Sequence, residues 1–141
     1  MTHVLPSRLL RAALLIDATA SGALGLLQVA ATTTMVRLLG LAPEIVLGSG
    51  LFFLVYAAVL VVLARSATVP RALVMLVAAG NAGWAVGCVA MAALYPGLTA
   101  LGVGYLLLQA AAVFAFAAMQ ALGLARSSTT RPAAVGTLGR A

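Results

Sequence analysis

Asp17 is the one acidic side chain set inside a long apolar run, LLRAALLIDATASGALGLLQVAA at residues 9–31. A run of roughly 20 apolar residues is long enough to cross the hydrocarbon core of a bilayer. Asp17 falls about eight residues into it, so roughly 12 Å deep at about 1.5 Å per residue. An ionised carboxylate facing lipid at that depth would cost several kcal/mol, so the group must face protein or a wet cavity, or else carry a proton. Ser21 lies one turn further along the same face and Gln28 close to that face two turns beyond. Arg11, near the end of the run, is the only base within reach. Two chemistries follow. Asp17 is either a proton-carrying or cation-binding group, or a buried acid that hydrogen-bonds across helices and fixes their packing.

Other polar residues occur in the remaining apolar runs. Asn81, Trp84 and Cys88 follow one another at i, i+3 and i+7, which puts them on one helical face. Tyr105, Gln109, Phe116 and Gln120 have similar spacing in the last run. Asp17 and Asn81 enter from the same membrane face at matching depths, and Gln109 returns from the opposite face at about mid-depth. The expected site is therefore a small intramembrane polar layer of Asp17, Ser21, Asn81 and Gln109. Tyr56, one turn after Phe52, either closes this layer or packs as a core aromatic. Such a layer serves as polar glue between helices or as a binding site, and residue types alone favour the glue.

Several chemistries lack their residues. HExxH, CxxC and clustered histidines are absent, so no metal, haem or other cofactor is expected. His3 has no neighbouring ligand in the sequence, and the lone Cys88 excludes an internal disulfide. Gly48-Ser49-Gly50 opens an apolar helix and lacks the lysine a nucleotide loop needs. Acyl transfer or hydrolysis would have only Asp17 as a base, so the chain is not expected to be an enzyme.

The elements that must position these residues follow from composition. Of 141 residues, 65% are hydrophobic and 7% charged, too few charges to cover a soluble surface. The bilayer is the expected partner. Eight basic residues against two acidic give +6, but all eight are arginines set between and outside the apolar runs, which is not a nucleic-acid-binding surface. The sequence predicts an all-α membrane protein, a four-helix antiparallel bundle with helices at about 9–31, 43–64, 71–95 and 98–124. Residues 1–8 form a short lead, with Ser7 as a cap for the first helix. Ala18-Thr19-Ala20 has the small-x-small look of a signal cleavage site, but the apolar run continues past it, so the first helix is read as uncut. Residues 32–42 read as a polar break at the three threonines and then a short interfacial piece ended by Gly40. Pro43 and Glu44 suit the start of the second spanning helix. Residues 125–141 read as a disordered tail.

Seven arginines, Arg8, Arg11, Arg65, Arg71, Arg126, Arg131 and Arg140, fall on the lead, the second connection and the tail. Only Arg37, offset by Glu44, falls on the other connections. Four crossings put the arginine-rich segments on one side, which the positive-inside tendency makes cytoplasmic, with both termini there.

The bundle also reads as two repeated hairpins, since RAALLIDATASGALGLL from Arg11 resembles RALVMLVAAGNAGWAVG from Arg71. Glycines of the first and third helices are expected to pack within the chain. FFLVYAAVLVVL, at 52–63, is expected to face lipid or a second copy in a homodimer. The phrases LLIDATASGALGLL, LLGLAPEIVLGSGLFFLVYAA, VAAGNAGWAVG and AMQALGLAR, within residues 7–126, resemble the small uncharacterised four-helix integral membrane proteins of bacteria. The resemblance implies a multi-pass protein of the bacterial inner membrane and brings no mechanism with it. The expected function is structural or accessory. The alternative is a small proton- or cation-coupled transporter, channel or sensor subunit using Asp17.

Overall fold

Ser7 starts the first helix, its Oγ accepting from Leu10 N at 3.1 Å, as a serine N-cap does. The computed structural model describes residues 2–129, and in it α1 runs over Arg8–Ala30. The chain bends at Ala31 and resumes at once as α2, Thr32–Leu39. The break expected at the threonines falls at Ala31, and the threonines themselves open α2. Thr32 Oγ1 donates back to Gln28 O at 2.6 Å, a bond that ties a helical threonine to the preceding turn. Gly40, at φ +74°, ends α2 in the left-handed region that residues with a Cβ adopt only with strain. Next come α3 (Pro43–Arg65), with proline at its first position, α4 (Arg71–Leu94) and α5 (Ala100–Ala125), capped by Thr99. Helix ends fall within two residues of the sequence expectation.

α1, α3, α4 and α5 are all long and apolar enough to cross a membrane. Only 28–39% of the most apolar stretch of each is buried inside the chain, so large apolar side chains such as Val55, Val62, Leu76, Val86, Leu108 and Phe114 point outward. The helices form a bundle in the order α3–α1–α5–α4. α1 packs on α3 and α4 on α5, giving two antiparallel hairpins joined through α1 and α5. A close approach in the first hairpin is between Gly25 and Gly50. A Cβ on Gly25 would lie 2.8 Å from Gly50 O, and one on Gly50 would lie 2.8 Å from Gln28 Cβ. Small residues permit this contact, as between membrane helices generally. The other edge is different. The backbones of α3 and α4 stand apart and meet through side chains, Trp84 lying against Phe52 and Phe53 with ring centroids 5.6 and 4.9 Å away, while Cβ atoms on Gly80, Gly83 or Gly87 would meet nothing within 4 Å. The glycines of the third spanning helix therefore border an open crevice instead of packing within the chain.

A feature the sequence reading lacked closes one end. β1 (His3–Leu5) pairs antiparallel with β2 (Val69–Pro70) and with β3 (Ser128–Thr129). Val4 and Val69 are fully buried and cap the cluster of Leu10, Leu14, Leu60, Leu63 and Leu124. This burial orders the lead and the residues just after α5, where the sequence suggested a plain lead and a disordered tail. Residues 130–141 of that tail lie outside the described residues. The sheet also brings the lead, the α3–α4 connection and the α5 exit to one end of the bundle, the grouping inferred from the arginines.

Candidate functional site

Asp17 comes to its place because α1 carries it about nine residues past Arg8, roughly 14 Å along the axis at about 1.5 Å per residue. Asn81 sits ten residues into α4 from the same end, and Tyr56 nine residues before the end of α3. The three therefore share one level. Asp17 is 0% exposed. Asn81 Nδ2 donates to its Oδ2 at 2.7 Å, and Gln120 Nε2 donates to the same oxygen at 2.7 Å. Tyr56 OH lies 3.1 Å from Oδ2, and Ser21 Oγ donates to Oδ1 at 3.0 Å. Asn81 Nδ2 also reaches Gln120 Oε1 at 3.2 Å. One carboxylate is thus bonded within α1 and to each of the other three long helices. All four donors are neutral, and Arg11 is not among them. Its Nη1 donates to Ala64 O at 2.9 Å and caps the end of α3.

The single hydroxyl proton of Tyr56 has two acceptors, since Asn81 Oδ1 is 3.0 Å away. With Asp17 as a carboxylate, Tyr56 can donate to it. With Asp17 as an acid, the acid proton can go to Tyr56 O, and Tyr56 can turn its own proton to Asn81. Among the described residues Asn81 Oδ1 has no other donor, so the first arrangement leaves it unpaired and the second does not.

Of the residues expected in the layer, Asp17, Ser21, Tyr56 and Asn81 come together and Gln109 does not. Gln109 lies about 16 residues from the end of α5, roughly 24 Å along it, so it sits about 10 Å beyond the Asp17 level. Gln120 takes its place. It is only five residues from the helix end, but helical side chains lean toward their own N-terminus. On α5 that lean points toward the bundle middle, while on α1 Asp17 leans the other way, toward the arginine-bearing end, so the two side chains meet. The spacing of Gln120 from Gln109 was visible in the sequence. The direction of lean was the signal that would have chosen between them. Phe52 stacks on Tyr56 at 5.9 Å, so the tyrosine serves both the polar layer and aromatic packing.

Gln109 belongs to a second tier. Trp84 Nε1 donates to Gln109 Oε1 at 3.0 Å, and Cys88 Sγ lies 3.7 Å from the same oxygen. Gln28 Nε2 donates to Tyr105 OH at 2.8 Å. Among the described residues Gln28 Oε1 is buried and has no hydrogen-bond partner, an omission worth about 1–3 kcal/mol for a buried acceptor. This tier borders a cavity of about 280 Å³ in the α3–α4 crevice. A cavity of about 420 Å³, bordered by Ser21, Tyr56 and Asn81, lies along the same crevice, and Trp84 borders both. Among the described residues, no cluster of three or more histidine, cysteine or acidic side chains could hold a metal ion. No family model, curated protein or solved structure matches the chain.

Proposed function

We propose that this is a multi-pass protein of the bacterial cytoplasmic membrane, akin to the small four-helix membrane proteins its phrases resemble, with a structural or accessory role and no catalytic activity. The observation that carries the role is the state of Asp17. The carboxylate is fully buried, and its two oxygens are taken up by Ser21, Tyr56, Asn81 and Gln120. Placed so, it holds the helices together more readily than it exchanges an ion. In this reading the arginine-rich end faces the cytoplasm, and the outward apolar faces meet lipid. A second copy of the chain would meet the outward face of α3, around Val55, Val59 and Val62.

A second reading, a proton- or cation-coupled transporter, channel or sensor subunit, draws on the crevice bordered by Ser21, Tyr56 and Asn81 and on the single Tyr56 proton that Asp17 and Asn81 share. Asp17→Asn separates the two. An asparagine oxygen can take the place of Oδ2, and its NH2 can donate to Ser21 once that hydroxyl turns. For the accessory role, the variant melts within about 1 kcal/mol of wild type, and neither protein moves protons or cations across liposomes. Wild-type flux that Asp17→Asn abolishes at an unchanged melt would establish the transport reading instead.

A further inference from the structure

Five arginines crowd the end of the bundle where the three strands pair, and no acid is near enough to neutralise them. Arg8 opens α1, Arg65 ends α3, Arg71 opens α4 and Arg126 follows α5, all four exposed, with Arg11 half-buried one turn into α1. The whole chain has two acids. Asp17 is buried and bonded to Ser21, Tyr56, Asn81 and Gln120. Glu44 opens α3 at its far end, roughly 30 Å from Arg65 at about 1.5 Å per residue. The positive-inside tendency accounts for arginines on one side of a membrane. It does not require four of them to stand together.

Four of them gather around the first turn of α1. Ser7 N donates to Ser127 Oγ at 3.0 Å and Ser7 Oγ to Gly123 O at 2.8 Å, so the adjoining residues Arg8 and Arg126 start side by side across the α1–α5 contact. On the other flank Arg11 Nη1 donates to Ala64 O at 2.9 Å, which brings its guanidinium against the residue before Arg65. Arg8 and Arg11 are themselves neighbours at i and i+3. The row runs Arg65, Arg11, Arg8, Arg126 over three adjacent helix ends, with a pair on each flank of α1. Like charges this close repel, and an anion shared between them removes the repulsion.

An apolar groove continues from this row along the outward face of α1, lined by Leu15, Ile16, Thr19, Ala20 and Ala23. Leu15, Thr19 and Ala23 follow Arg8 at i+7, i+11 and i+15, so the groove and Arg8 share one helical face. Thr19, the polar residue of the groove, gives its hydroxyl proton to Leu15 O at 2.8 Å. Cations at the headgroup level with an apolar groove beneath them match the two parts of a phospholipid.

We propose that this end of α1 binds a phospholipid with two phosphates, of the diphosphatidylglycerol type. One phosphate lies between Arg8 and Arg126, the other between Arg11 and Arg65, and acyl chains lie along the groove. Arginine suits the task because its planar fork pairs with phosphate oxygens two at a time. The second arginine pair calls for the second phosphate, since a single one would leave two guanidinia without an anion. The proposal rests on the membrane reading above, but not on which compartment this end faces or on the role of Asp17.

The test is native mass spectrometry of the full chain in a neutral detergent, titrated with diphosphatidylglycerol, with phosphatidylglycerol of the same acyl chains, and with pyrophosphate. One diphosphatidylglycerol should bind per chain at concentrations at least about tenfold below phosphatidylglycerol, because each further arginine in contact strengthens binding about fivefold. Arg8→Gln combined with Arg65→Gln takes one cation from each pair and should weaken that binding roughly 30-fold. Arg37→Gln, at the opposite end of the bundle, should leave it unchanged. Equal affinity of wild type for the two lipids would overturn the proposal, and that comparison needs no variant. So would undiminished binding in a double variant that melts like wild type, or an equal loss in Arg37→Gln, which would make the attraction one of net charge. Displacement of the lipid by pyrophosphate at equal concentration would overturn the lipid assignment and make a soluble diphosphate the ligand. A reversed orientation in the membrane would show in reporter fusions and leave this titration as it is.

Discussion

Gln109 and Gln120 lie on the same helix, yet they bond at different levels, and their removal should be felt differently. Gln120→Ala takes a donor from Asp17 and an acceptor from Asn81, all three residues being buried. Buried polar groups left unpaired cost about 1–3 kcal/mol, so this variant should lose about that much stability. Gln109→Ala removes the acceptor of a partly buried indole and should lose about 1 kcal/mol or less. Thermal melts of both variants in one detergent decide the matter. A larger loss for Gln109→Ala would move the binding polar layer to the wrong tier.

At the scale of elements, α1 and α3 pack against each other over most of their length, and Gly25 and Gly50 let their backbones approach. Gly50→Val would drive a side chain into Gln28, whose Cβ already lies 2.8 Å from where the new Cβ must sit. Overpacking of this kind costs about 1–3 kcal/mol. Two residues earlier, Gly48 has open space around its missing Cβ, so Gly48→Ala should stay within about 0.5 kcal/mol of wild type. Unfolding of both variants in mixed micelles makes the comparison. Equal losses would mean that α1 and α3 are not in direct contact at Gly25. The same helix pair is tied at its arginine-rich end by Arg11, which supplies a donor to the Ala64 carbonyl that the last turn of α3 cannot pair internally.

For the molecule as a whole, the three short strands and the arginines mark the same end. β1 lies between β2 and β3, so the lead, the α3–α4 connection and the α5 exit cannot be on opposite sides of a membrane. With that end cytoplasmic, a reporter active only outside the cytoplasm should give signal when fused after residue 38 and none after residue 68. The opposite pattern would reverse the proposed orientation while leaving the sheet intact. The order α3–α1–α5–α4, with the α3 and α4 backbones apart and bridged by Phe52, Phe53 and Trp84, makes the molecule a bundle with a lateral crevice.

Length, apolar runs and end signals are local properties, and the sequence carried them. Four long helices within two residues of their ends, the short α2 and its Gly40 stop, and the shared side of the arginine-bearing segments were all readable from residue order. Asp17 and Asn81 could be matched because they enter from the same face, where counting from the helix start gives depth directly. Gln109 against Gln120 could not be settled that way, because α5 returns from the other face and its side chains lean back along the axis. The edge left open was also beyond the sequence. Gly80, Gly83 and Gly87 have the composition of a packing line, but a missing Cβ permits close approach without requiring it, and only the order of the helices leaves this line unpartnered. The three strands were hidden for a related reason. Two or three residues carry no periodic signal by themselves, and Val4, Val69 and Thr129 become neighbours only after four helices have brought their ends together.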